Sequence, residues 1–114
     1  MTRVYKILPR TDWEAAAARG RFEGSADDAR DGFVHLSAAG QAAETARRYF
    51  SGKTDLVIVA FEAEALGPAL KWEPSRGGAL FPHLYAPLPT AAAVEVRPLP
   101  LGADGAPQVG TLAP

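Results

Sequence analysis

The chain has no cysteine among its 114 residues, which excludes disulfides, thiol nucleophiles and zinc–thiolate sites. It also lacks an excess of either charge, since 12 basic and 13 acidic residues give a formal net charge of −1. We therefore expect no nucleic-acid partner and no polybasic membrane patch. No apolar run reaches a membrane-spanning length, and no apolar signal segment follows the N-terminus, so the expected location is cytoplasmic.

Several catalytic and cofactor signatures are missing as well. Neither common phosphate-loop fingerprint, GxGxxG or GxxxxGK[ST], occurs in the sequence. No segment resembles the nucleophile elbow of a Ser-His-Asp hydrolase. The chain has two histidines and no clear third ligand, so a metal site is disfavoured.

What the chain does contain is an ordinary globular composition, with 47% hydrophobic and 22% charged residues. Residues 1–98 are predicted to form one α+β domain, because strand and helix patterns alternate early and strands follow later. Strand patterns cover residues 4–8, 33–36, 55–62, 70–73 and 94–97. The continuous apolar run at 56–61 indicates a central strand. The Gly/Ala/Pro-rich segment 99–114 has little to bury, and we expect a loose tail.

Two helices are predicted from capping signals and apolar spacing. Thr11 and Glu14 have the spacing of a capping box, and Gly20 ends that helix. Ser37 is a candidate cap for a second helix that runs to about Phe50. The polar segment 26–31 is expected to be a turn.

The segment 72–85 carries the most chemical variety in the chain. It sets a carboxylate, a guanidinium, an imidazole, a hydroxyl group and aromatic rings around a Gly-Gly turn, with Pro74 and Pro82 on either side. Connecting loops are usually short and built from small polar residues. Large, varied side chains on a constrained backbone instead indicate a pocket wall. The candidates are Trp72, Glu73, Ser75, Arg76, Gly77, Phe81, His83 and Tyr85.

The other histidine, His35, lies on a strand pattern two residues before Ser37, so both side chains point to one face. An imidazole and a hydroxyl on one face can hydrogen-bond ribose hydroxyls or a carbonyl. Alternatively, His35 is a core histidine bonded to backbone, and Ser37 serves only as a helix cap. We expect His35 and His83 to face the same cleft.

Arg76 precedes Gly77 and Gly78, which predicts an anion clamp because arginine offers a planar fork and glycines allow close approach. The alternative is an ion pair between Arg76 and Glu73. Trp72 is either a core residue or a stacking platform for an adenine or nicotinamide ring.

The same two readings apply to Phe81, as core residue or stacking platform. His83 and Tyr85 would share a face of a strand, either as ligand contacts or as buried rings bonded to backbone. Lys6 is either a solvated strand residue or a ligand contact.

Five motifs together resemble the small bacterial family called "domain of unknown function 952", over about residues 3–98. They are YKI at 5–7, Trp13, DGFVHLS at 31–37, WEPSRGG at 72–78 and FPHLY at 81–85. The resemblance implies a fold similar to that of the ADP-ribosyltransferases, in which two small sheets with short helices surround an NAD-binding cleft.

The resemblance also implies roles for particular positions. Lys6 would take the first-strand position that holds the NAD ribose, and His35 and Ser37 would take the second motif. The third motif normally supplies a Glu, but here that position offers His83. Glu73 is the alternative carboxylate if the loop folds it inward.

Three functions follow as expectations. The first is a small-ligand binding protein for NAD or an ADP-ribose type nucleotide, favoured by the missing third-motif Glu. The second is an NAD-cleaving enzyme in which Glu73 and His83 are catalytic and Arg76 holds the pyrophosphate. The third is a protein–protein adaptor that uses the surface of residues 81–85.

Overall fold

The computed structural model describes residues 2–114. Its strands are β1 (Arg3–Pro9), β2 (Arg21–Phe22), β3 (Val34–His35), β4 (Ser37–Ala38), β5 (Leu56–Glu62), β6 (Leu70–Pro74), β7 (Leu80–Leu84), β8 (Leu88–Pro89) and β9 (Ala93–Leu99). Its α-helices are α1 (Arg10–Arg19), α2 (Ala26–Asp31) and α3 (Ala42–Phe50), and short 3-10 helices occur at Ala63–Ala69, Arg76–Gly78 and Thr90–Ala92. Within the described part of the chain, no helix is long and apolar enough to cross a membrane.

The strands form three small sheets, and each strand pair that forms them is antiparallel. The largest has the order β4-β1-β5-β9, the second joins β2 to β8, and the third has the order β3-β7-β6. The predicted α+β class is confirmed, although three sheets are present where two were expected. Strand β5 lies between β1 and β9, as its continuous apolar run predicted.

The four-stranded sheet is covered on both faces, because successive side chains of a strand point to opposite sides. From β1, Val4 and Leu8 enter one hydrophobic cluster together with Trp13 of α1. Tyr5 and Ile7 enter a second cluster on the other face, against α3. Lys6 lies on the same face as Val4 and Leu8, and this places a lysine at the edge of the main core.

The beginning of α1 differs from the prediction. The helix starts at Arg10 after Pro9, and no side chain caps it. Glu14 does not reach back to the backbone of Thr11 because its carboxylate accepts a hydrogen bond from Arg10 Nη1 at 2.9 Å. Gly20 does end the helix in a left-handed conformation, as predicted.

Helix α2 replaces the turn expected at residues 26–31. Ser25 is its N-cap, and the Ser25 and Asp28 side chains bond each other's backbone N–H groups in a capping box. Ser37, in contrast, caps no helix, because it lies in β4 opposite Tyr5. The helix that Ser37 was expected to cap begins at Ala42, after Gln41.

The C-terminal segment is packed, so the expectation of a loose tail was wrong. Val109 and Leu112 pack against the second hydrophobic cluster, and Ala106 is buried. Arg97 donates hydrogen bonds to the Val109 and Thr111 carbonyl oxygens at 3.2 and 3.3 Å. A few apolar side chains therefore suffice to hold this Gly- and Pro-rich segment against the domain.

Candidate functional site

A cavity of about 300 Å³ lies between β1, α2, α3 and the β3-β7-β6 sheet. Strand β4 pairs with β1 only at Val4 and Tyr5. Beyond that point Lys6 and Ile7 border the cavity instead of another strand. The short length of β4 thus creates the space in which polar side chains from β1, β3, β4, β7, α2 and α3 converge.

Lys6 and Asp28 form a buried ion pair at the floor of this cavity. Lys6 Nζ lies 3.0 Å from Asp28 Oδ2 and 3.3 Å from Oδ1, and it donates to the His35 carbonyl oxygen at 3.0 Å. These contacts use the three N–H donors of the ammonium group. Lys6 is therefore neither solvated nor available to a ribose, and its role is to neutralise and position Asp28.

Asp28 accepts further hydrogen bonds besides those of its ion pair with Lys6. Its carboxylate accepts the backbone N–H groups of Ser25 at 2.9 Å and His35 at 3.0 Å. Burial raises the pKa of Asp28, but the Lys6 ammonium and the two backbone donors outweigh it and hold that pKa below its ordinary value. Burial lowers the pKa of Lys6 more than Asp28 raises it. The carboxylate is thus ionised and fully engaged.

His35 is held between two carboxylates. Its Nδ1 lies 2.6 Å from Asp28 Oδ1, and its Nε2 lies 2.9 Å from Asp31 Oδ2. Because both ring nitrogens have a partner, neither remains for a ligand while these contacts persist. The interpretation of His35 as a histidine bonded only to backbone is wrong, since side-chain carboxylates hold it.

His83 has a different arrangement, although it pairs directly with His35 across β3 and β7. His83 Nδ1 lies 2.8 Å from Glu73 Oε1, which also accepts the Tyr85 hydroxyl at 2.7 Å. The bond from Tyr85, followed by that from His83, lowers the pKa of Glu73. An ionised carboxylate can only accept hydrogen bonds, so Nδ1 donates to Glu73 and Nε2 is the nitrogen that this pair leaves free.

Nothing within residues 2–114 bonds Nε2 of His83, although the residue is 5% exposed. His83 is one of the residues that line the cavity. The Phe33 ring stacks on the imidazole at 4.0 Å between centroids. The stacking contact with Phe33 and the hydrogen bond at Nδ1 thus fix the imidazole ring, while Nε2 has no partner.

Arg76 supplies positive charge at the other end of the cavity. Its guanidinium carbon lies 4.9 Å from the Phe81 ring centroid and 5.8 Å from that of Tyr49. Its Nη2 donates to Thr45 Oγ1 at 3.3 Å, and Ser37 Oγ lies 3.2 Å from the same oxygen. Within the described residues no carboxylate forms an ion pair with Arg76, so the alternative pairing with Glu73 is excluded.

The turn after Arg76 explains why two glycines stand there. Gly77 and Gly78 have φ angles of 69° and 82°, a left-handed conformation that other residues rarely adopt. The Gly78 N–H donates to the Ser75 carbonyl oxygen at 2.8 Å and closes the turn. Gly77 does not line the cavity, so these glycines shape the turn that presents Arg76 instead of contacting a ligand themselves.

The structure brings most of the predicted site residues together. The following residues line this cavity: Lys6, His35, Ser37, Ser75, Arg76, Phe81 and His83. Four predicted residues lie outside its lining. Trp72 is 40% exposed on the opposite face of β6, and Gly77 is in the turn. Glu73 and Tyr85 stand behind His83 and reach the cavity only through it.

The lining also contains polar residues that sequence reasoning did not select: Ser25, Asp27, Asp28, Arg30, Asp31, Thr45 and Tyr49. The Ser25-x-x-Asp28 spacing is a capping-box signal and would have placed a helix at residues 26–31. Thr45 and Tyr49 are four residues apart, so they project from one face of α3. In the described part of the chain, no group of three His, Cys, Asp or Glu side chains is arranged to hold a metal ion.

Comparisons with known proteins agree with this architecture. Residues 7–96 match the family described as protein of unknown function (DUF952). The chain belongs to the DUF952 family. Four of the five motifs that suggested this family contribute residues to the cavity, and the fifth, Trp13, lies in the main core. A search of curated proteins found no match.

Solved structures of a relative extend the comparison to nearly the whole chain. The crystal structure of protein CC0527 from Caulobacter crescentus is 58% identical, covers 95% of each chain and has a TM-score of 0.93. The solution NMR structure of CC0527 is 59% identical over 96% of this chain and 95% of that chain, with a TM-score of 0.87. The fold described here is therefore shared with a bacterial protein.

Proposed function

We propose that this DUF952 protein binds a phosphate-bearing nucleotide of the NAD or ADP-ribose type in the cavity between β1, α2, α3 and the three-stranded sheet. The observation that carries the proposal is the Arg76 guanidinium. It lines the cavity, stacks on Phe81 and has no carboxylate partner among the described residues. A guanidinium without a counter-ion is suited to a phosphate, which it can bind through two parallel hydrogen bonds.

The rest of the cavity suits the sugar and base of such a ligand. Ser37, Thr45 and Ser75 supply hydroxyl groups, and Tyr49 supplies an aromatic ring beside Arg76. The volume of about 300 Å³ is at the lower end of the range for small-molecule sites. We therefore expect the cavity to enclose the phosphate end of the ligand and to leave part of a dinucleotide outside.

Binding is a better match to the cavity than cleavage of NAD. Cleavage passes through a positively charged sugar that needs a nearby carboxylate. Asp28 is neutralised by Lys6, and Asp27 and Asp31 both pair with Arg30. Asp31 also contacts His35, and Glu73 lies outside the cavity lining. The kinship with ADP-ribosyltransferases and a cytoplasmic location are parts of this proposal.

A protein–protein adaptor has less support. It would use the surface of residues 81–85, but Phe81, Pro82, His83 and Leu84 are all buried. Only Tyr85 of this segment is well exposed, at 44%. A partner protein would therefore meet one aromatic ring instead of a continuous surface.

Isothermal titration of the purified protein with ADP-ribose, NAD, adenosine and inorganic phosphate tests the proposal. We expect heat of binding with ADP-ribose and weaker or no binding with adenosine, which lacks the phosphate. Binding of adenosine as tight as that of ADP-ribose would remove Arg76 from recognition. Failure of all four ligands to bind would contradict the proposed function.

A further inference from the structure

His83, Glu73 and Tyr85 form a hydrogen-bonded group that ligand binding alone does not require. We propose that His83 is a general base that activates water to hydrolyse a P–O bond of the bound nucleotide, with Glu73 as its positioning residue. The inference rests on the proposed function, because Arg76 must hold the phosphate. It concerns hydrolysis at phosphorus and leaves the bond between ribose and nicotinamide untouched.

The orientation of His83 is the first argument. Glu73 Oε1 lies 2.8 Å from Nδ1, which leaves Nε2 as the nitrogen without a partner in a ring that lines the cavity. Phe33 stacks on the imidazole with an interplanar angle of 24°, and this holds the plane of the ring. A base oriented by a carboxylate through its far nitrogen is the arrangement that general-base histidines use.

The spacing along β7 is the second argument. Phe81 and His83 are two residues apart on this strand, so their side chains point to the same face and are roughly 7 Å apart along it. Arg76 stacks on the Phe81 ring, so its guanidinium lies beside the neighbour of His83 on that face of the strand. The proposal places the attacking water between a phosphate held by Arg76 and the imidazole of His83, both of which line the cavity.

The contacts of His35 are the third argument, because they leave His83 as the one histidine that can act as the base. Both nitrogens of His35 contact carboxylates, those of Asp28 and Asp31, and neither nitrogen is left without a partner. The Tyr85 hydroxyl donates to the same Glu73 oxygen as His83, so it stabilises the carboxylate in its ionised form. The chain thus keeps one histidine structural and leaves the other able to accept a proton.

The reaction balances without any further reactant. His83 Nε2 accepts a proton from water while the water oxygen forms a bond to phosphorus. The bond from phosphorus to the leaving oxygen breaks, and the leaving oxygen takes the proton back from His83. Glu73 accepts the hydrogen bond from Nδ1 throughout, and Arg76 balances the charge on the phosphoryl oxygens. With ADP-ribose the products are AMP and ribose 5-phosphate.

The test measures hydrolysis and binding on the same protein preparations, with a metal chelator present throughout. ADP-ribose and bis(p-nitrophenyl) phosphate are the substrates, and products are followed by chromatography and by released nitrophenolate. We expect His83→Ala to lower kcat by about 10²- to 10⁴-fold while the Kd for ADP-ribose stays within about twofold. Added imidazole should restore part of the lost rate. Arg19→Ala, on the surface away from the cavity, is the matched control.

Glu73→Gln keeps the inference testable if His83→Ala does not fold, because Glu73 is not a core residue. It should lower kcat with little change in KM, since Gln retains an acceptor but not the charge that stabilises the imidazolium. Binding of ADP-ribose without hydrolysis of either substrate would overturn the inference and leave the proposed function standing. Hydrolysis of bis(p-nitrophenyl) phosphate that depends on His83, without ADP-ribose binding, would contradict the proposed nucleotide ligand and support His83 as the base. Unchanged hydrolysis in both variants would also remove His83 as the base.

Discussion

His35 and His83 stand directly opposite each other on the antiparallel strands β3 and β7, with ring centroids 5.8 Å apart. Direct cross-strand partners project to the same face of a sheet, which is why both histidines line one cavity. Their environments nevertheless differ, because the carboxylates of Asp28 and Asp31 occupy both nitrogens of His35. Glu73 occupies only one nitrogen of His83.

Replacing Arg76 with Ala should weaken binding of a phosphate-bearing ligand. A hydrogen bond to a charged group contributes about 1.5–3 kcal/mol, so the Kd for ADP-ribose should rise by about one to two orders of magnitude. Arg76→Lys should recover only part of the loss, because lysine keeps the charge but not the planar fork. Titration calorimetry measures both, and an unchanged Kd in Arg76→Ala would exclude this residue from the site.

The purified protein should release little or no nicotinamide from NAD. The position where the ADP-ribosyltransferase resemblance expects a Glu holds His83, and a neutral imidazole does not stabilise a positively charged sugar. Incubation with NAD followed by quantification of nicotinamide checks this, with Glu73→Gln beside the native protein. Robust release that disappears in the variant would identify Glu73 as a catalytic carboxylate and reverse our preference for binding.

Breaking the ion pair between Lys6 and Asp28 should strongly destabilise the fold. Lys6→Met leaves a carboxylate that is 3% exposed without its counter-ion, and losing one partner of a buried pair typically costs about 3–5 kcal/mol. Arg30→Ala removes a solvent-exposed partner of Asp27 and should change stability far less. Urea denaturation of both variants checks the difference. Equal stability of Lys6→Met and the native protein would mean that Asp28 does not depend on this lysine.

Stability should fall in acid with a contribution from Asp28. The folded-state pKa of this group lies below its ordinary value of 3.8, so the folded protein binds its proton less readily than the unfolded chain. The stabilisation is therefore fully present above about pH 5 and is lost as the pH falls through the folded-state pKa.

Denaturation midpoints of the Asp28→Asn variant and the native protein, measured across this acid range, test this contribution of Asp28. The variant should be less stable at neutral pH and should lose less stability on acidification than the native protein. Asp12→Asn is a suitable control, since Asp12 is exposed and forms no ion pair among the described residues. An acid dependence in Asp28→Asn that equals the native one would assign the effect to other carboxylates.

Local features were predicted well where a single segment contains all the information. The apolar run of β5 indicated a central strand, and Gly20 indicated the end of α1, because burial on both faces and a left-handed backbone leave direct marks on the sequence. The α+β class followed from the order of these elements. Ser37 was misread as a helix cap because a hydroxyl before an alanine-rich segment has the same appearance whether the residue caps a helix or pairs with β1.

The sequence alone determined which residues carry the chemistry of the segment 72–85 and that two histidines could share a face. Only the tertiary structure decided which of these side chains bond to each other and which remain free for a ligand. The partners of His35 come from α2, a helix read as a turn, and the lysine that neutralises Asp28 comes from β1, 22 residues earlier. Such contacts depend on the register of antiparallel strands and the packing of helices across them. Distances along the chain do not encode these contacts, so the free nitrogen of His83 and the unpaired Arg76 could be found only in the folded protein.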